Sequence, residues 1–184
     1  MSEIQILTTS LPGPLIILPR RFPDERGCFA EIYHANRYAV AGIAGPFVQD
    51  NFSRSRHGVV RGLHLQNPHP QGKLVTAVRG TILDVAVDVR VGSPHFGESI
   101  SVELSDENGQ LLWVPRGFAH GFAVLSDQAD VLYKCDEFYE PTAEITLNHA
   151  DPVLGIDWKI ANPILSAKDL TAASLAQTAR LPVY

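Results

Sequence analysis

Between Phe47 and Gln66 the chain reads FVQDNFSRSRHGVVRGLHLQ, with amide, acid, guanidinium and imidazole groups recurring at alternate positions. In an extended chain every second side chain points to one face of a sheet. Gln49 and Asn51, and then His64 and Gln66, therefore put hydrogen-bonding groups where a plain core would carry Val or Leu. Taking such groups out of water is costly unless something they bind compensates. The pattern reads as paired strands forming the wall of a polar pocket, with an imidazole for proton transfer and Arg61 for an anion. The Gly between Arg61 and Leu63 lets another backbone come close.

A second segment answers the first. GQLLWVPRGFAH (Gly109–His120) is a strand that ends in Pro115, Gly117 and then His120. Together with Gly58–His64 it resembles the paired motifs of the cupin superfamily, a small antiparallel β-barrel or jelly roll. Metal-binding cupins carry His-x-His and a nearby Glu in the first motif. Here the second His is Gln66, and the Glu position falls on Pro70 or Gln71. Only His64 and His120 remain of four ligand positions, too few for a normal metal site. The expectation is a cupin-like barrel that has lost its metal, kept its cavity and uses no cofactor.

Further segments narrow the resemblance. These are FPDERGCFAEIY (Phe22–Tyr33), QDNFSRS, GVVRGLH, Lys73, DVAVDVR (Asp84–Arg90), SPHFG (Ser93–Gly97), PRGFAHGF (Pro115–Phe122), LYK (Leu132–Lys134) and LSAKD (Leu165–Asp169). In this order they resemble the dTDP-4-dehydrorhamnose 3,5-epimerase family, from about Leu15 to Asp169. The resemblance implies epimerisation of a dTDP-4-keto-6-deoxyhexose at C3 and C5, as in dTDP-L-rhamnose biosynthesis. A 4-keto group acidifies both neighbouring C–H bonds, so inversion needs a base, a stabiliser for the enolate oxygen and an acid on the other face.

By resemblance His64 is the base, since a neutral imidazole is available near pH 7. Asp169 would fix its tautomer, with Asp84 the local alternative. Lys73 would shelter the enolate, brought back beside His64 by a hairpin through NPHPQG. Tyr133 matches the proton donor. The resemblance also assigns substrate contacts to Arg26, Glu31, Gln49, Asn51, Arg61, Lys73, His120, Glu144 and Lys168, with Tyr139 stacking on the thymine. It implies a homodimer in which Arg26 and Glu31 act across the interface. The departure is ITLNHADP (Ile145–Pro152), where Asn148 and His149 replace part of the family's usual run near Glu144. That leaves open a C3- or C5-only epimerase, or a ketoisomerase. A nucleotide-sugar binding module and a metal cupin are the readings from other classes.

The elements that must position these groups follow from punctuation and alternation. The 184 residues suit one domain, able to bury about 70% of its unfolded surface. Net charge of −5 argues against a nucleic-acid binder. No apolar run is long enough for a bilayer and no leader is visible. Cys28 and Cys135 then read as reduced thiols in a cytoplasmic protein. Short alternating runs parted by Gly, Pro, Asn and Asp indicate an all-β chain. Strands are expected at 15–18, 58–66, 73–79, 81–89, 99–104, 110–114, 121–125 and 129–135. In the fourth of these strands, TILDVAVDV, Leu83, Val85, Val87 and Val89 share one face and Ile82, Asp84, Ala86 and Asp88 the other. Short helices are expected at His34–Val40 and, after the Ser166 cap, Lys168–Gln177. Asp88 is read as pairing with Arg90 or blunting an edge, and His57, His69, His95 and His149 as solvated.

Overall fold

The computed structural model describes residues 4–43 and 45–184. The chain opens with β1 (Gln5–Thr8) and β2 (Leu15–Leu18), then β3 (Arg21–Asp24), β4 (Gly27–Ala30) and helix α1 (Ala35–Val40). Next come β5 (Gln49–Arg56), β6 (Val60–Gln66), β7 (Lys73–Arg79) and β8 (Thr81–Asp88). Strands β9 (Ser99–Ser105), β10 (Leu111–Val114), β11 (Phe118–Val124), β12 (Gln128–Cys135) and β13 (Glu144–Thr146) follow. Helix α2 (Ala167–Leu170) and a 3-10 turn at Leu175–Gln177 close the chain.

The strands form a cupin-like jelly roll. A six-stranded sheet runs β1-β2-β10-β7-β12-β5, and a five-stranded sheet runs β13-β6-β11-β8-β9. β3 and β4 stand apart as a hairpin. Strand β8 shows why both faces of its sheet are dry. Ile82 and Ala86 pack between the sheets with Val75, Leu112, Val131 and Phe122. Leu83, Val85 and Val87 face outward onto Leu154, Trp158 and Leu175 from the C-terminal segment. That segment thus covers the outside of the five-stranded sheet, and its passage delivers Asp169 to the sheet's rim. On the other flank, Tyr38 of α1 packs with Ile17, Leu74, Leu111 and Trp113.

Two expectations about neighbours are overturned. β5 and β6 are consecutive but do not pair: β5 pairs with β12, and β6 with β11 and β13. Gly58, at φ +80°, helps turn the chain from one sheet into the other. β6 and β7 likewise lie in opposite sheets, so Lys73 meets His64 across the sandwich and not along a hairpin. The long C-terminal helix is also shorter than expected. Ser166 caps it by accepting from the Asp169 N–H at 3.1 Å. After Leu170 the chain leaves the helix because Ala173 bridges to Leu147 and the Leu175 N–H donates to Asp151.

Packing is tightest where the site is built. His64 stands directly opposite His120 on β11, with a register shift between His120 and Phe122. Gly62 has φ +103°, and a Cβ there would lie 2.6 Å from the His120 carbonyl oxygen and 2.7 Å from Gly121 Cα. A Cβ on Gly121 would in turn meet the Arg61 carbonyl at 2.6 Å. Two bare backbones crossing here hold the two imidazoles side by side. Gly62→Ala should therefore cost about 2 kcal/mol or more through overpacking and strain. Chemical denaturation measures this, and an unchanged midpoint would show that the crossing is not tight.

Candidate active site

The inner faces of the two sheets enclose a cavity of about 800 Å³. The six-stranded sheet contributes Asn51, Lys73 and Tyr133, and the five-stranded sheet Arg61, His64 and His120. Lys168 and Asp169 close one side from α2. An adjoining recess of about 250 Å³ adds Gln49, Gln66, Tyr139 and Glu144. Asn51, His64, Lys73 and Tyr133 line both spaces, so they stand at the junction.

The register explains this placement. Asn51 lies opposite Tyr133 on β12, Tyr133 opposite Val75, and Lys73 opposite Cys135. Lys73 and Tyr133 are therefore diagonal neighbours on one wall. On the facing wall His64 pairs with His120 and Thr146, and Gln66 with Glu144. An imidazole and a phenol thus face the same space from opposite sides.

His64 Nε2 is 2.6 Å from Asp169 Oδ1. Asp169 Oδ2 accepts from the Ser166 hydroxyl at 2.8 Å. Burial pushes the Asp169 carboxyl up, but the His64 and Ser166 hydrogen bonds and the charges of His64 and Lys168 outweigh it and hold it low. Asp169 is thus an ionised acceptor. Such a carboxylate can take the Nε2 hydrogen of His64, which would leave Nδ1 as the free ring nitrogen, and can stabilise an imidazolium. Asp84, the rival for this part, bonds His120 Nε2 instead, at 2.8 Å.

Lys73 reaches the His64 carbonyl oxygen from across the cavity at 3.4 Å. Among the described residues it has no carboxylate within ion-pair distance. Desolvation lowers its pKa, while Cys135, Glu144 and Asp84 partly restore it. Burial raises the Tyr133 phenol, with Cys135 and Glu144 adding to the rise and Arg61 opposing it. Tyr133 therefore stays protonated at neutral pH, as a proton donor must.

The recess is wired together by polar contacts. Glu144 accepts from Lys168 at 2.7 Å and from the Tyr139 hydroxyl at 3.1 Å. Burial raises the Glu144 carboxyl, but Lys168 and the other hydrogen bonds bring it below its ordinary value. Gln49 donates to Asn51 at 3.0 Å and accepts from the Tyr139 N–H at 2.8 Å. Gln66, which stands where a metal-binding cupin carries its second His, ties down the 138–140 turn. It donates to the Phe138 carbonyl and accepts from the Glu140 N–H.

Nine of the sequence-chosen site residues meet in these two spaces within one chain, together with Lys168 and Asp169 from the C-terminal segment. Arg26 and Glu31 do not. Arg26 pairs with Asp24 on the exposed β3–β4 hairpin, and Glu31 with Arg37. Ser166 was read only as a helix cap, yet it also holds the Asp169 carboxylate; the one available signal was its position three residues before Asp169. Asp88 pairs with Arg90 as expected, and also accepts from Ser93. Of the histidines expected to be solvated, His57 and His69 are exposed, while His95 and His149 are partly buried. His57 bonds the Leu125 carbonyl, His95 bonds Glu98, and His149 lies against Trp158 with its Nδ1 buried. Burial lowers the His149 pKa.

Comparison with known proteins points to one family. Residues 8–177 match the family described as dTDP-4-dehydrorhamnose 3,5-epimerase. A dTDP-4-dehydrorhamnose 3,5-epimerase of Methanothermobacter thermautotrophicus is 46% identical over 187 residues, covering 100% of each chain. A dTDP-4-dehydrorhamnose 3-epimerase of Streptomyces niveus is 40% identical, covering 95% of this chain and 86% of its own. The crystal structure of the dTDP-6-deoxy-D-glucose-3,5-epimerase of Legionella pneumophila, in complex with dTDP-4-keto-L-rhamnose, superposes with a TM-score of 0.96. It shares 47% identity and covers 99% of both chains.

The depressed Asp169 carboxyl has a consequence for stability. Because its folded pKa lies below the unfolded one, its contribution is full above about pH 4 and is lost as pH falls through the folded value. Asp169→Asn should cost about 2 kcal/mol at neutral pH and progressively less in acid. Denaturant titrations at several pH values check this; a constant difference would mean that the carboxylate charge contributes nothing.

Proposed function

The chain belongs to the dTDP-4-dehydrorhamnose 3,5-epimerase family, and we propose that His64, Lys73, Tyr133 and Asp169 carry out its chemistry. The protein is an isomerase that inverts a dTDP-4-keto-6-deoxyhexose at C3 and C5 through an enolate. The observation that carries the residue assignment is the placement of base and acid on opposing sheets. A sugar ring held between them presents one face to His64 and the other to Tyr133, which is what inversion requires.

His64 Nδ1 takes the proton from the carbon beside the ketone, and Asp169 stabilises the imidazolium. The electron pair moves onto the C4 oxygen, where the Lys73 ammonium meets it. A desolvated, unpaired cation is suited to a developing anion. Tyr133 then gives its proton to the other face of the same carbon. No electrons leave the substrate, so no redox cofactor takes part.

For the rest of the substrate, Arg61 at the open side of the cavity suits the pyrophosphate. The amides of Gln49 and Asn51, beside Tyr139, suit the pyrimidine. Lys168, His120 and Glu144 complete the contacts. We further propose a homodimer. The β3–β4 hairpin exposes Phe22 and Phe29, and β5 exposes Phe52 at the edge of its sheet. An interface there would cover these rings and give Arg26 and Glu31 a partner subunit's pocket to reach. Both cysteines are free, which fits a reducing cytoplasmic setting. No helix among the described residues is long and apolar enough to cross a membrane.

The Streptomyces niveus 3-epimerase supports a second reading, inversion at C3 alone. Heavy water separates the two. With dTDP-4-keto-6-deoxyglucose, NMR should show deuterium at both C3 and C5 of the product. Deuterium at C3 alone would favour the second reading, and none at either carbon would refute both. His64→Ala should slow turnover by about 10²–10⁴-fold while dTDP still binds. Tyr133→Phe should keep exchange of a substrate proton with solvent while losing inverted product. Equal loss of both would make Tyr133 a holding residue.

A further inference from the structure

Asp84 has no part in the reading above and His120 enters it only as a substrate contact, yet the pair stands in the wall of the same cavity. His120 stands beside His64 on the neighbouring strand, with its ring centroid 6.5 Å from that of Tyr133. Asp84 has no exposed surface and its Oδ1 lies 2.8 Å from His120 Nε2. Its Oδ2 is buried with no hydrogen-bond partner among the described residues.

The two His–Asp pairs therefore differ in kind. Asp169 accepts through both oxygens, from His64 and from Ser166. Its charge is stabilised by those bonds. Asp84 has one bond and no water-facing surface. An isolated carboxylate charge there, with one oxygen unsatisfied, would be costly. If Asp84 Oδ1 supplies the hydrogen in its contact with Nε2, the ring's own hydrogen sits on the remaining nitrogen, Nδ1 of His120.

We propose that Asp84 is a positioning residue that holds His120 as an N–H donor to the C4 oxygen of the bound sugar, so that His120 and Lys73 form a two-donor hole for the enolate. The proposal rests on the epimerase reading. It separates from a second-base role by symmetry. C3 and C5 flank the same carbonyl, so loss of either proton places charge on the same oxygen. A donor to that oxygen speeds both exchanges alike, whereas a second base would serve one carbon.

The test is hydrogen exchange at C3 and C5 in heavy water, with dTDP-4-keto-6-deoxyglucose and the full chain. In Asp84→Leu the His120 ring loses the partner on Nε2 that holds its hydrogen on Nδ1. Both exchange rates should fall together by about 10²-fold, the effect of losing one oxyanion donor, with KM little changed. His120→Gln, which keeps an amide N–H, should retain much more of both rates than His120→Phe. If Asp84→Leu fails to fold, as judged by lost dTDP binding, the two His120 variants decide alone. Loss at one carbon only, a raised KM with kcat held, unchanged rates in a folded Asp84→Leu, or equal His120→Gln and His120→Phe would each overturn the proposal. Wild type exchanging at neither carbon would instead overturn the epimerase reading beneath it.

Discussion

Charge held between two sheets, away from water, is the condition on which the rest of this structure depends. A sandwich interior is ordinarily aliphatic, and that remains so around Val75, Leu112 and Val131. Toward one end the same faces carry Lys73, His64, His120 and Tyr133. Each buried polar group there must be matched or it costs stability. Asp169 is matched by His64 and Ser166, and Glu144 by Lys168 and Tyr139. Among the described residues Lys73 is not matched by an acid. Its amine there touches a single backbone carbonyl, and a transient anion in the cavity would be its first full partner.

The fold supplies that condition through its connections. Because β5, β7 and β12 lie in one sheet and β6, β8 and β11 in the other, each wall receives its own set of groups. The glycine crossing at Gly62 and Gly121 lets the strands carrying His64 and His120 approach closely. The C-terminal segment covers the outer apolar face with Leu154, Trp158 and Leu175, then brings α2 to the rim. Packing outside the sheet thus fixes the position of the Asp169 carboxylate beside His64.

Much of this was legible in the sequence where the signal is local. TILDVAVDV alternates clearly enough to fix β8, and Ser166 marks the start of α2. The site residues came chiefly from the family resemblance, with polar alternation around Gln49–Asn51 and His64–Gln66 as independent support. Sheet partnership was not legible. Nothing in FVQDNFSRSRHGVVRGLHLQ states that its two strands belong to opposite sheets, because that is decided by pairing with β12 and β11, far away in sequence. The same holds for Asp84. Its spacing from His64 and from His120 is equally uninformative, and only the β8–β11 register gives it to His120. The C-terminal helix was overextended because its interruption comes from contacts with Leu147 and Asp151, not from a breaker residue. Arg26 sits on the β3–β4 hairpin and Glu31 just after it, away from the chain's own cavity, and the hairpin's Phe22 and Phe29 are exposed among the described residues.

The most direct measurement follows hydrogen through a single turnover in heavy water. Enzyme in excess is quenched before a second cycle, and NMR and mass spectrometry read each inverted carbon. Transfer between two walls requires the acid to arrive already carrying solvent deuterium, so every inverted centre should hold deuterium and the hydrogen removed should never reappear there. Substantial retention of the original hydrogen at an inverted carbon would mean that one group serves both faces, and the opposed placement of His64 and Tyr133 would not be the basis of catalysis.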